Sequence, residues 1–332
     1  MYSSFKVPTA SPEPTSVLKK VELENVVCDY CGEDGQVLTL KRSVCLEVRE
    51  CEQCGLAYVT PRPTLQSMCS HYRDTYAVDN LEGLWGDYRS FDFTGPDIAR
   101  LRRFVNLKGA TVLDVGCGSG IFLDALRRAG ASVLVGIEPS GKKAHLADRM
   151  VQGAKIYGSL YEEIELPESS FDLITALDIV EHLYRPGDFF RFASRLLRPG
   201  GVLFIKTPNW NAAKRYGTLW AGLNQDAEHV YYFGRRSLEN YLVRVGILLE
   251  EVDYESISAG LGSTKCAPST RSSVVAQKVI HLARLGLRNF PIVNKIGYRM
   301  LYLLRRAKNR DDIISETAHE LIAVGRKNKT SD

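Results

Sequence analysis

The chain has 332 residues, 45% of them hydrophobic and 25% charged, enough apolar material for one large domain with an accessory module. Its net charge of +4 is local: residues 271–310 hold ten Lys or Arg and no acid, so the rest of the chain sums to 4 − 10 = −6. That distribution argues against a protein that coats nucleic acid and for a local anionic partner.

The first residues, MYSSFKVPTASPEPTS, are polar and rich in Pro and Ser, and no run of eighteen apolar residues occurs anywhere. A signal peptide and a spanning helix are therefore not expected, and residues 1–24 read as a flexible tail. The expected location is cytoplasmic, and eight cysteines, four of them in close pairs, suit a reducing compartment.

Residues 25–62 come next. Cys28-Asp-Tyr-Cys31-Gly32 and Cys51-Glu-Gln-Cys54-Gly55 are two C-x-x-C-G knuckles separated by nineteen residues. A two-residue gap lets both thiolates of a knuckle face one ion, and the glycine lets backbone amides turn toward the sulfurs. Four thiolates at this spacing form a closed, structural Zn2+ site, so Cys28, Cys31, Cys51 and Cys54 are its expected ligands. The alternative is a pair of free-thiol turns or a redox pair. Zinc would staple a segment too short to build its own core. Nucleic acid is not expected to bind here, because acids outnumber bases in residues 28–55.

Residues 63–94 read as a linker or helical region, and the pattern then becomes strand, turn, helix over residues 95–261. TVLDV, SVLVGIE, FDLITALD and GGVLFIKT are apolar and rich in β-branched residues, and IFLDALRRAG and FFRFASRLLRPG between them have helical spacing. The fold class is therefore α/β: a Rossmann-like parallel sheet with helices on both faces. Ligands bind beyond the carboxyl ends of such strands, near the first glycine turn.

That turn is VLDVGCGSG, with glycines at 116, 118 and 120 rather than the G-x-G-x-x-G spacing of a dinucleotide cradle. Asp114, two residues before the first glycine, would repel a pyrophosphate. It suits a ligand whose amino-acid part carries an ammonium, met directly or through water. Glu138, at the end of the second strand, can accept both hydroxyls of a ribose. The combination favours S-adenosylmethionine over NAD. Cys117, inside the turn, reads as a small packing residue.

A sulfonium already activates the methyl group, so the protein chiefly aligns the reactants, and transfer to a hydroxyl gains from a general base. Of six histidines, His182 follows the fourth strand in ALDIVEHL and His229 lies in DAEHVYYF, where an acceptor should sit. Both are candidate catalytic residues, and either can equally cap a helix or bond a carbonyl. Glu181 beside His182 offers a metal ligand, with no second carboxylate cluster in support. Trp210, Tyr216, Trp220, Tyr231, Tyr232 and Phe233 either line a sugar or ring-shaped acceptor, with Asn209 and Asn211 donating hydrogen bonds, or pack in the core.

Residues 262–316 form an insertion. Val275, Val279, Leu282, Leu287 and Phe290 share one helical side opposite Lys278, His281, Arg284 and Arg288, and a second such helix opens at Pro291. Basic amphipathic helices suit an anionic membrane surface, and a helical lid with a solvated basic face is the alternative. Residues 317–332 return to the core with a last strand, ELIAVGRK, and a tail.

VLDVGCGSG, GIEPS, FDLITALDIVEHL, LRPGGVLFIKTPN and EHVYYFGRRSLENYL, in this order, resemble the motifs of class I S-adenosylmethionine-dependent methyltransferases. The nearest flavour is the group that includes ubiquinone-biosynthesis O-methyltransferases. The CxxCG…CxxCGLAYVTPRP…HYRDTY segment is similar to the N-terminal part of bacterial members, which often accompany polysaccharide and secondary-metabolite pathways. By this resemblance Asp114, Gly116, Gly118 and Gly120 surround the methionine moiety, and Glu138 is the ribose acid with Pro139 and Ser140 beside the adenine. Asp178 closes the fourth strand near the transferring methyl. Ser159 and Leu160 sit at the adenine edge, where many relatives carry an acid. The resemblance implies O-methylation of a small-molecule, sugar or lipid-linked acceptor. Sugar C-methylation is a second enzyme reading, although the tail typical of such enzymes is not evident after the second knuckle. A non-catalytic scaffold is the reading from another class.

Overall fold

The computed structural model describes residues 22–33, 36–41, 46–68, 94–217, 220, 223, 228–255, 318 and 320–329. The cysteine-bearing segment is a β structure. Strands β2 (Gln36–Lys41), β3 (Glu47–Cys51) and β4 (Ala57–Val59) pair antiparallel in sequence, and β1 (Leu23–Glu24) pairs with β5 (Arg62–Pro63).

The core follows as α1 (Gly95–Leu101), β6 (Thr111–Val115), α2 (Ile121–Arg128), β7 (Val133–Ile137), α3 (Gly141–Met150), β8 (Ala154–Tyr157) and β9 (Phe171–Leu177). It continues with α4 (Pro186–Leu196), β10 (Leu197–Pro208), α5 (Trp210–Tyr216), β11 (Tyr231–Tyr232), α6 (Arg235–Arg244), β12 (Ile247–Glu255) and β13 (Glu320–Lys327). Seven strands form one sheet in the order β8-β7-β6-β9-β10-β13-β12. The β6–β10 pairs are parallel, while β13 runs antiparallel between β10 and β12. Chain order reverses at β6, whose neighbours β7 and β9 carry their connections to opposite faces. That reversal opens the crevice where ligands bind in such sheets.

Both faces of the sheet are covered, which is why its strands read as continuous apolar runs. Leu113, Ile174, Leu203 and Leu321 pack one way against Phe189, Phe190 and Leu196 of α4 and Leu238 and Tyr241 of α6. Val112, Leu173, Phe204 and Ile322 pack the other way against Leu101 of α1, Phe122 and Leu126 of α2 and Leu146 of α3. Burying one such side chain contributes ~1.5–3 kcal/mol. Helix α2 turns Asp124 toward Arg127 and Arg128 of its own outer face, at 2.8 and 3.1 Å. Helix α1 is tied to the far edge of the sheet, because Arg100 pairs with Asp97, Glu251, Asp253 and Glu255.

The strand AKIY, β8, is absent from the sequence reading. It is a partly exposed edge strand with Lys155 exposed, so it lacks the apolar run that marks the others. A larger difference concerns the cysteine module. Its sheet is completed by β11 of the core, with Tyr231 opposite Tyr58 and Tyr232 opposite Ala57, in the order β11-β4-β3-β2. Leu56, Tyr58 and three of the cysteines sit in one hydrophobic cluster with Phe190, Tyr231 and Tyr241. The module is thus built into the core rather than strung beside it. The insertion 262–316 lies outside the described residues. Among those described, no helix is long and apolar enough to cross a membrane.

Candidate active site

Strand β6 runs directly into the glycine turn. Gly116 and Gly120 take φ of 73° and 84°, a region side chains rarely adopt, and neither has room for one. A Cβ on Gly116 would lie 1.9 Å from Cδ1 of Ile179, and one on Gly120 would lie 2.6 Å from Cγ2 of Val151. The turn is held by Gly116 and Cys117 N–H donating to the Ile137 carbonyl at 2.8 and 3.0 Å, and by Gly120 N–H donating to the Cys117 carbonyl at 2.8 Å.

Two acids meet at this turn. Glu138 follows β7 and accepts from Gly118 N–H at 3.0 Å and from Ser140 N–H at 2.8 Å, so one carboxylate fixes the turn and the start of α3. Burial pushes its carboxyl up, opposed by those two amides and by Lys143. Asp114 is enclosed at 3% exposure and accepts from the Thr175 hydroxyl at 2.6 Å. Burial raises it to about 7, the Thr175 hydrogen bond opposing and the Glu138 charge adding. Cys117 is also buried, and desolvation with the neighbouring acids pushes its thiol up, away from a reactive thiolate.

Beyond β8, Ser159 and Leu160 are indeed not acidic, but Glu163 folds back onto them. The Ser159 hydroxyl donates to the Glu163 carboxylate, which also accepts from Leu160 N–H at 3.4 Å. An acid is thus present at this edge, from a residue the sequence reading missed. Leu160 keeps 40% of its surface exposed. The signal was there: an acid three residues after the turn's first position is the spacing of a capping box.

Asp178 follows β9 at φ 53°, its N–H donating to the Lys206 carbonyl at 2.8 Å. The next residue is the Ile179 that fills the space above Gly116, so the turn Val180–His182 is in direct contact with the glycine loop. Glu181 in that turn is fully buried and accepts from the Thr207 hydroxyl at 2.9 Å, while its Oε1 is buried without a hydrogen-bond partner. Burial and then the Asp178 charge hold its carboxyl well above the usual carboxylate range. His182 and His229, forty-seven residues apart, stack edge to face with ring centroids 4.7 Å apart. Ligand atoms of Glu181, His182 and His229 all lie within 4.8 Å of one another. His182 Nδ1 lies 3.2 Å from the Glu228 carbonyl. A carbonyl only accepts, so Nδ1 carries the proton and Nε2 holds the basic lone pair. His229 is 3% exposed and His182 is partly open, so His182 is the imidazole an incoming molecule meets first.

The aromatic segment is core. Trp210, Trp220, Tyr231, Tyr232 and Phe233 are at most 2% exposed, and of the six only Tyr216 faces solvent. Asn209 is no acceptor-facing donor either. Its side chain accepts from Asn211 N–H at 3.2 Å as the cap of α5 and donates to the Ala318 carbonyl at 2.8 Å.

The four cysteines of the N-terminal module converge with all Sγ atoms within 4.8 Å of one another. Cys28 and Cys54 are 3.5 Å apart and Cys31 and Cys51 3.9 Å apart, bracketing the edge of ~3.8 Å of a tetrahedron with 2.3 Å metal–sulfur bonds. Gly32 and Gly55 donate to the Cys28 and Cys51 carbonyls at 2.8 Å, each at positive φ. Without an ion, the hydrogen bond from Cys54 lowers Cys28 to about 6, while burial raises Cys31 to about 11.

Residues 88–252 are matched by the methyltransferase domain family. The chain carries a class I S-adenosylmethionine-dependent methyltransferase domain. The chain is 38% identical over 112 residues to a ubiquinone biosynthesis O-methyltransferase of Paracidovorax citrulli (strain AAC00-1), covering 32% of this chain and 47% of the relative. It is 32% identical over 128 residues to the protein of that name from Escherichia coli O9:H4, covering 37% and 51%. The chain spans about half the length of these curated relatives. Among solved structures, it is similar to an S-adenosylmethionine dependent methyltransferase from Mesorhizobium loti, with 16% identity and a TM-score of 0.46 over 70% of this chain and 97% of that one.

Proposed function

We propose that the protein transfers the methyl group of S-adenosylmethionine to a hydroxyl of a small-molecule, sugar or lipid-linked acceptor. The observation that supports this most is the imidazole pair joined to the glycine turn through Ile179. Bound in the crevice, the cofactor supplies a methyl group activated by a sulfonium. Gly116, Gly118 and Gly120, whose lack of side chains leaves the turn open to a ligand, would line its amino-acid end, Glu138 would take the ribose hydroxyls, and Pro139, Ser159 and Leu160 would flank the adenine. Asp178, at the end of β9, would lie near the methyl. Asp114 sets a negative potential behind the turn.

His182 Nε2 would hold the acceptor hydroxyl and take its proton, while the bound cofactor would supply the methyl group and keep the electron pair of the broken sulfur–methyl bond as a neutral thioether; the Glu228 carbonyl holds the ring in the required tautomer. His229, enclosed beside Glu181, stabilises the imidazolium's position from behind. O-transfer is the chemistry named for the relatives above, and it is the transfer a neutral histidine assists most. The test is incubation with methyl-labelled cofactor and separate sugar and lipid extracts. Label entering an alkali-stable ether, lost in His182→Gln, is the expected result. Label transferred equally by His182→Gln would overturn the base assignment.

A second reading is favoured by the unpartnered Oε1 of Glu181: the three ligand atoms could hold a divalent cation that orients the hydroxyl. It predicts a metal equivalent beyond the zinc and loss of transfer on chelation. Cys28, Cys31, Cys51 and Cys54 hold a structural Zn2+ in this proposal, since four soft donors at tetrahedral spacing leave no open position. The basic segment 272–308 brings the domain to an anionic membrane surface, where a lipid-linked acceptor would be met.

A further inference from the structure

Arg62 belongs to the N-terminal module yet is 7% exposed, deep against the core. Its Nε donates to Glu24 at 2.9 Å across the β1–β5 pair. Its Nη1 donates in two directions, to the Tyr184 carbonyl at 3.3 Å and to the Tyr231 hydroxyl at 3.2 Å. The guanidinium carbon lies 4.3 Å from the ring centroid of Tyr184 and 5.7 Å from that of Tyr231. Tyr184 is two residues past His182, and Tyr231 is two residues past His229. One buried side chain therefore grips both segments that carry the imidazoles.

The surrounding contacts point the same way. Val230 N–H donates to the Glu181 carbonyl at 2.9 Å, and its own carbonyl accepts from Val59 N–H at 3.0 Å. The Tyr184 hydroxyl donates to the Pro63 carbonyl at 2.6 Å. So the His229 segment is sandwiched between strand β4 of the module and the Val180–His182 turn. Strand β11 has only two residues, too few to hold a register alone, and the strand it pairs with is β4 of the module.

We propose that Arg62 is a positioning residue: through Tyr184 and Tyr231 it sets how His182 and His229 face one another, so the cysteine module supports the methyl-transfer site directly. The catalytic consequence rests on the reading of His182 given above; the positioning itself does not. Lysine cannot replace arginine here, because a point ammonium neither reaches two acceptors in one plane nor stacks on two rings.

The experiment records imidazole 15N resonances of the zinc-loaded full chain, with His145 on α3, which is not among the contacts of Arg62, as an internal reference. In Arg62→Met the resonances of His182 and His229 should both shift while His145 stays in place. Arg62→Lys should fail to restore them. Tyr231→Phe, which removes one acceptor and keeps the ring, should move His229 and leave His182 nearly still. Zinc content and S-adenosylmethionine affinity should be unchanged within about twofold. Unshifted His182 and His229 in a folded Arg62→Met, or full restoration by Arg62→Lys, would overturn the positioning role. So would a joint shift of all three histidines, which would mean general loosening. If Arg62→Met fails to fold, Arg62→Lys and Tyr231→Phe carry the same comparison. Retained transfer in His182→Gln would remove only the catalytic consequence, so the two failures are read in different samples.

Discussion

Asp114→Asn should make the protein relatively more stable as pH rises. Asp114 is enclosed, its carboxyl raised by burial to about 7 from the 3.8 of a free aspartate. The folded state therefore binds a proton more tightly than the unfolded state, and stability falls as pH rises through the window between those two values. From pH 5 to pH 8 the wild type ionises this group against its surroundings over the two units up to about 7, a loss of ~3 kcal/mol at 1.36 kcal/mol per unit. Asparagine keeps an oxygen for the Thr175 hydroxyl and has no proton to lose. Other titrating groups cancel when the two proteins are compared at each pH. The melting temperature of Asp114→Asn minus that of wild type should rise from pH 5 to pH 8 by roughly 5–10 °C for a domain of this size. At pH 8 the variant should also bind S-adenosylmethionine at least tenfold more weakly, ~1.4 kcal/mol, for want of the negative charge. Parallel melting curves across the pH range, with unchanged cofactor affinity, would refute both the burial argument and the charge argument.

Three further outcomes are expected. The purified chain should carry one zinc per molecule, and Cys51→Ser should lose it and lower the melting temperature; calorimetry and metal analysis check this, and substoichiometric zinc in carefully prepared wild type would count against the site. Gly116→Ala should weaken cofactor binding at least tenfold by driving a Cβ into Ile179, and adding Ile179→Ala should recover part of that loss, a coupling that titration calorimetry of the double-mutant cycle measures. The protein should sediment with anionic vesicles at low salt, less with neutral ones, and release as salt rises. Deleting 272–308 should abolish that binding while cofactor affinity stays; no sedimentation with either vesicle would leave those residues as a lid.

The parallel strands were legible because both their faces are buried, so burial wrote itself into the sequence as unbroken apolar runs such as VLDV and LITAL. The four cysteines were legible because two short spacings and two glycines encode a local geometry. AKIY was not, being a half-exposed edge. Asn209 was misread although its place before the helix Trp210–Tyr216 is that of an N-cap, a signal outweighed by the nearby aromatics. Those aromatics read as a possible acceptor lining because composition does not say which side of a chain is buried. The pairing of His182 with His229, and Arg62 with the residues beyond each, lay beyond reach for a different reason. These contacts join positions 47, 122 and 169 residues apart, and no local pattern marks them.

Those long contacts also explain why the module and the crevice need one another. The glycine turn is closed from above by Ile179, whose turn is held by Val230, and Val230 is held by β4 of the cysteine module. On the far side Asp29, inside the first knuckle, accepts from Gly187 N–H at 3.0 Å and the Tyr241 hydroxyl at 2.7 Å, pinning that knuckle to the starts of α4 and the body of α6. Asn240 and Arg244 of α6 bond the carbonyls of Cys54 and Tyr30, one in each knuckle. A metal held as proposed by both knuckles would therefore fix the segments behind the imidazoles, while among the described residues the side built from β6, β7 and α3 shares none of these bonds. Under the function proposed above, folding energy supplied at the four sulfurs would go to the place where the acceptor must be aligned, the part of a methyl transfer that the cofactor cannot provide.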